Sequence, residues 1–175
     1  MRKHGIAFVI AILLTSFQLF SATEDFTISS MVNEVGLMKV SSSAVTEDTL
    51  VAFNDSGDLT TYEVLAGGNQ TSFQAYLTTI SNKRSGYSVA MTATAMESTE
   101  SGKTAYINYS VTCNGIKVTT NNAKVIASKT VVTKTNITGL TALSWPIILK
   151  VTPNSYNKAV AGTYVGTVTF TFSAT

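Results

Sequence analysis

Histidine is missing from all but the first few residues: His4 is the only one in the chain. Beyond it there is no imidazole for a Ser-His-Asp triad, a Cys-His pair or a histidine metal site. Cysteine is nearly missing too. Cys113 stands alone, so no internal disulfide can form, and a solitary thiol of this kind reads as a small buried hydrophobe rather than a nucleophile or a dimer link. Gly67-Gly68 lacks the Lys-Ser/Thr that would make it a phosphate loop. Asp55 and Asp58 in "NDSGD" lack the acid ladder and terminal Glu of a calcium loop, so an Asx-rich turn is the reading. These gaps point away from an enzyme, and no catalytic residue, metal or cofactor is expected.

Long apolar runs are also few. The longest, from Gly5 to Leu14 and on to Phe20, is shorter than the ~20 residues a membrane-spanning helix needs. Preceded by Arg2, Lys3 and His4, it has the layout of a secretory signal peptide over residues 1–22, with cleavage after Ala22. Export with no membrane span after cleavage follows. The remainder, Thr23–Thr175, is 153 residues, about one domain.

With two prolines and no sustained 3.6-residue period, this remainder is rich in Thr, Val and Ser, whose branched or small side chains suit a pleated surface. All-β is the expected class. "DFTISSMVNEVGLMKV", "DTLVAF", "LTTYEVL", "TSFQAYLTTI", "YSVAMTATAM", "AKVIASKTVVTK" and "LSWPIILKV" read as strands, and "ESTESGK" as a loop. Asn114-Gly115 is a type I′ hairpin signal between alternating arms.

Acidic residues run out halfway. All ten lie at or before Glu100, opposed after cleavage only by Lys39, Lys83 and Arg84; beyond Glu100 come seven lysines and no acid. The halves therefore carry −7 and +7. Two readings stand: either the topology interleaves the halves and the charges pair locally, or polar faces steer identical subunits together. The lysines are spread without arginine or regular aromatic interleaving, so nucleic acid is not an expected partner. Tyr106, Tyr109 and Trp145 have the chemistry to stack on sugars but, on strands, read first as core. Four Asn-x-Ser/Thr sequons (Asn54, Asn69, Asn108, Asn136) arise readily in a chain this rich in Ser and Thr.

The two ends carry the strongest pattern. From Val160 to Thr175 no residue is charged, and Tyr164, Gly166, Val168, Phe170 and Phe172 alternate with Thr163, Val165, Thr167, Thr169 and Thr171. A bare apolar edge is normally blunted by charge, proline or a bulge, and this one has none of these. Just after the cleavage site, Phe26, Ile28, Ser30 and Val32 alternate as well. Inserted into another copy, that segment adds ladder hydrogen bonds and an apolar face. Burial of its three large apolar side chains is worth roughly 5–9 kcal/mol before ordering costs, and each backbone bond about 1 kcal/mol.

On these residues the chain resembles the pilin subunits of Gram-negative chaperone–usher fimbriae: Gly162 stands fourteenth from the end, followed by Tyr164, Val168, Phe170 and Phe172. "FTISSMVNEV", "INYSVTCNGIKVTTNNAKV" and the absence of a disulfide are similar to the colonisation-factor and common-pilus group of alternate chaperone–usher pilins. The penultimate Ala174, where such subunits often have Tyr, and Glu34 and Gly36, where that group has proline and an apolar residue, depart from the pattern.

The resemblance implies an incomplete immunoglobulin-like β-sandwich over residues 37–175, with residues 23–36 as a donor-strand extension that completes a neighbouring subunit. Phe26, Ile28, Ser30 and Val32 would be the donor residues. Gly162, Tyr164, Gly166, Val168, Phe170 and Phe172 would line the acceptor groove that a periplasmic chaperone fills first. Related pilin subunits, an outer-membrane usher and a tip adhesin are the implied partners, no cofactor is implied, and the cell-surface fimbrium is the implied location. A single-domain adhesin for glycan or matrix, and a self-sufficient secreted β-sandwich or weak hydrolase, are the competing readings.

Overall fold

Alternation of Thr and Val with apolar residues produces ten strands and two short helices in the computed structural model, which describes residues 27–64 and 75–175. The chain divides after Val32. Of the first unit, residues 27–32 are exposed and lie in no strand. The second unit, Asn33–Thr175, is all-β with antiparallel pairing throughout.

One sheet has five strands: β1 (Gly36–Ser41), β2 (Ala75–Ser81), β9 (Thr141–Val151), β6 (Tyr109–Cys113) and β7 (Ile116–Thr119), in the order β1-β2-β9-β6-β7. A second has β10 (Val168–Ala174), β3 (Tyr87–Ala93) and β8 (Lys129–Lys134), with β3 in the middle. β4 (Met96–Glu100) and β5 (Lys103–Ile107) form a separate hairpin. The two larger sheets bury one core between them. Leu77, Val111, Cys113, Val118 and Ile147 come from the first; Tyr87, Val89, Met91 and Val132 come from the second. Tyr109 belongs to this core, and Trp145 packs against it partly buried.

So many hydroxyls can be buried because they satisfy one another. On the outer face of the five-stranded sheet, Ser41 Oγ meets Thr78 Oγ1 at 2.6 Å and Thr78 Oγ1 meets Ser144 Oγ at 2.7 Å. Between the sheets Thr79 Oγ1 meets Tyr87 OH at 2.7 Å. Buried polar groups partnered in this way carry no desolvation penalty left uncompensated.

Several strand expectations change. "DTLVAF" is not a strand. Thr49 accepts a hydrogen bond from Ala52 N at 3.0 Å and caps the helix α1 (Leu50–Asp55), which buries Phe53 against Ile80 and Ala142 on the outer face of the sheet. "ESTESGK" is not a plain loop but the β4–β5 hairpin, whose turn residues Ser101 and Gly102 have φ of 50° and 75°. Asn114 and Gly115, at 48° and 76°, make the expected turn between β6 and β7. Residues 59–64 of "LTTYEVL" form no strand; Leu65 lies outside the described residues. Residues 27–35 form none either, so that stretch contributes only β1.

Candidate functional site

The two sheets meet differently along their two sides. On the β7/β8 side, a register shift between Val89 and Ala90 leaves Val131 as an extra residue on β8. Its carbonyl accepts from Asn114 Nδ2 at 2.7 Å, and Lys129 Nζ donates to the Lys117 carbonyl at 2.8 Å. Val118, Val131 and Val132 are fully buried behind these bonds. That side is shut.

The β1/β10 side is open. Among the described residues, β10 has β3 on one edge and no strand on the other. Across from it, the outer edge of β1 is occupied, among the described residues, only at its C-terminal end, where Leu59 N donates to the Val40 carbonyl at 2.9 Å and Ser42 N to the Gly57 carbonyl at 3.3 Å. The two edges converge at one end: a Cβ built on Gly36 would lie 3.4 Å from the Phe172 ring, which itself stacks on Tyr87 with centroids 4.9 Å apart. Away from that point they part and leave a groove of about 1050 Å³. Val40 and residues 59–64 form one wall, and residues 159–168 with Phe170 form the other. Ile107, Tyr109, Val111, Ile147 and Leu149 lie along the floor.

The inner faces of both walls are apolar yet only half-buried: Met38 and Val40 on β1, Val168, Phe170 and Phe172 on β10. Apolar groups of this size left partly in water favour any occupant that removes them from it, by about 25 cal/mol per Å². Tyr109 donates its OH to the Thr167 carbonyl at 3.4 Å, and burial pushes its phenol up to about 12. Burial likewise pushes the Cys113 thiol up to about 12, so it is protonated at neutral pH and a poor nucleophile. Among the described residues no group of three His, Cys, Asp or Glu is arranged to hold a metal ion. Asp58 pairs with Lys39 at 3.1 Å.

The C-terminal residues of interest divide into two sets. Val168, Phe170 and Phe172 lie on β10 and face the core. Gly162, Tyr164 and Gly166 precede the strand. The ladder is interrupted there because the chain presses against β4: a Cβ on Gly166 would lie 3.0 Å from both Met96 N and Thr94 O, and one on Gly162 2.6 Å from Ser98 Oγ. Glu97 and Val165 exchange both backbone hydrogen bonds at 2.9 and 3.0 Å. Both glycines and Tyr164 nonetheless line the groove.

Of the N-terminal set, Ile28, Ser30 and Val32 are exposed and in no strand, Ile28 and Val32 each at 81%; Phe26 lies outside the described residues, as does the signal-peptide segment. Residues 33–35 are tied to the domain. Asn82 Nδ2 donates to the Asn33 carbonyl, and Asn82 Oδ1 accepts from Val35 N at 2.7 Å. The sequence pattern marks Tyr109 as core and "LTTYEVL" as a strand, and singles out neither these nor Leu149 as the lining of a groove. No protein-family model matches the chain, and no curated protein sequence matches it either.

Proposed function

We propose that the chain is a structural subunit of a surface fimbria, with an immunoglobulin-like sandwich completed when another subunit lays its N-terminal segment along the β1/β10 groove. The observation that carries this reading is the groove itself, an apolar cleft between the end strands of the two sheets, where β10 and the N-terminal part of β1 carry no strand on their outer edges among the described residues. A strand lying between β1 and β10 gains backbone hydrogen bonds from those edges and covers Val40, Tyr109, Leu149 and Phe170. The segment around Ile28, Ser30 and Val32 has the matching alternation and no strand partner among the described residues. Because Asn82 fastens Asn33 and Val35 to their own domain, the donor ends before Asn33, four residues earlier than the 23–36 extension that the resemblance implies.

In this mechanism the groove takes a periplasmic chaperone's strand first and the subunit's segment second, at an outer-membrane usher. Binding needs no cofactor, since burial and backbone pairing supply the free energy.

Two versions of Thr23–Thr175 test the reading: the chain as it stands, and one with "TEDFTISSMVNEV" appended after Thr175 through a short flexible linker. The appended form is expected to be a soluble monomer that melts well above the unmodified chain, and the unmodified chain to associate or unfold. Equal melting and equal monomer content in the two would contradict the proposal.

A further inference from the structure

The two sides of the domain differ in charge as well as closure. Residues 33–64, which build β1, α1 and one groove wall, carry six carboxylates and one lysine. Residues 108–135, which build β6, β7 and β8, carry four lysines and no carboxylate. Sheet order puts β1 and β7 at opposite ends of one sheet, and β10 and β8 at opposite ends of the other. Four strand spacings of about 4.8 Å separate β1 from β7 by roughly 19 Å, against a screening length of about 8 Å at physiological salt. The sides therefore do not neutralise each other within one molecule.

Local pairing does not neutralise them either. Among the described residues the ion pairs are Lys39–Asp58 at 3.1 Å and Lys83–Glu34 at 3.3 Å, and both draw their base from the acidic half of the chain. Among the described residues no lysine beyond Glu100 forms an ion pair. Lys117 and Lys124 are exposed on the basic side, and Glu47 before α1 and Asp55 at its end are exposed on the acidic one.

We infer that the basic β7/β8 side docks against the acidic β1/α1 side of a second copy of this chain. The complementarity of two unneutralised sides on one molecule selects a second copy over an external polyanion, which would use the lysines and leave the carboxylates without a role. The contact is heterologous, joining unlike patches, so it builds open-ended rows rather than closed dimers. It is polar, and its exposed carboxylates at α1, Glu47 and Asp55, are not among the groove-lining residues, so it stands whether or not a donor strand is exchanged.

The test is sedimentation velocity of the purified chain at low and high ionic strength, with K117E/K124E and E47K/D55K beside it. Self-association is expected to weaken about tenfold at high salt and in each variant alone, and to return when the two variants are mixed, because each then supplies the side the other lost. Pairing through the groove is apolar and persists at high salt, which separates it from this contact. Salt-independent association, wild-type association by either variant, or failure of the mixture to restore it would overturn the inference. So would loss of binding to a sulfated glycan in K117E/K124E with self-association unchanged.

Discussion

The β7/β8 and β1/β10 sides are built from the same kinds of residue in the same two sheets, yet one is shut and the other gapes. On the shut side a single bulged residue on β8 and two side-chain bonds, from Asn114 and Lys129, tie the strand ends of the two sheets together over Val118 and Val132. On the open side the edges approach near Gly36 and Phe172, and the aromatic face of β10 stays half in water. The difference teaches that closing a sandwich flank takes more than an apolar face. Each edge must also give its backbone groups a partner, and among the described residues β10 has one on only one side.

Breaking the shut side has the largest expected effect. Val118→Asp puts a charge in a site with no exposure and no partner; the expected loss is about 4 kcal/mol or more, read as absence of a cooperative unfolding transition. Gly166→Val acts on the open side through backbone. Its side chain would collide with Met96 N and Thr94 O, shifting the approach to β10 and costing about 2 kcal/mol by urea denaturation.

A paired truncation sharpens the comparison further. Val118→Ala removes methyls from a filled core and should cost about 2 kcal/mol, whereas Val40→Ala on the half-buried groove wall should cost about 1 kcal/mol or less. On the proposed reading the two costs converge once the donor segment is appended, and a gap that persists would count against it.

The smallest effect near neutral pH is on titration. Burial holds the folded Cys113 and Tyr109 protonated to about pH 12, from ordinary values of 9.0 and 10.0. The unfolded chain gives up these protons first, so their contribution to stability is complete below pH 9 and is lost as pH climbs toward 12. Melting temperature should fall above pH 9, and less steeply in Cys113→Ala.

Much of this architecture is legible in the sequence where local chemistry and tertiary packing agree. Asn114-Gly115 demands a two-residue turn and has one. Ser101-Gly102 adopts the same left-handed pair, but the polar residues around it hide two short strands whose faces are mostly in water. "DTLVAF" reads as a strand because its apolar residues cluster, whereas only Phe53 needs burial; Leu50 and Val51 are 41% and 68% exposed, and the Thr49 cap turns the segment into a helix. At the C-terminus the period-two pattern continues well before Val168, while the ladder does not, because two glycines let the chain press against β4. The groove wall at residues 59–64 is irregular backbone, although its Thr, Tyr and Val have the composition of a strand.

Amide hydrogen exchange followed residue by residue, with and without a peptide of the sequence Phe26–Val32, addresses the open side most directly. The account predicts that amides of Val168–Ser173 pointing away from β3 exchange fast in the chain alone and become protected when the peptide is added, while β7 and β8 do not change. Full protection of those β10 amides before any peptide is added, or no change after it, would contradict the account.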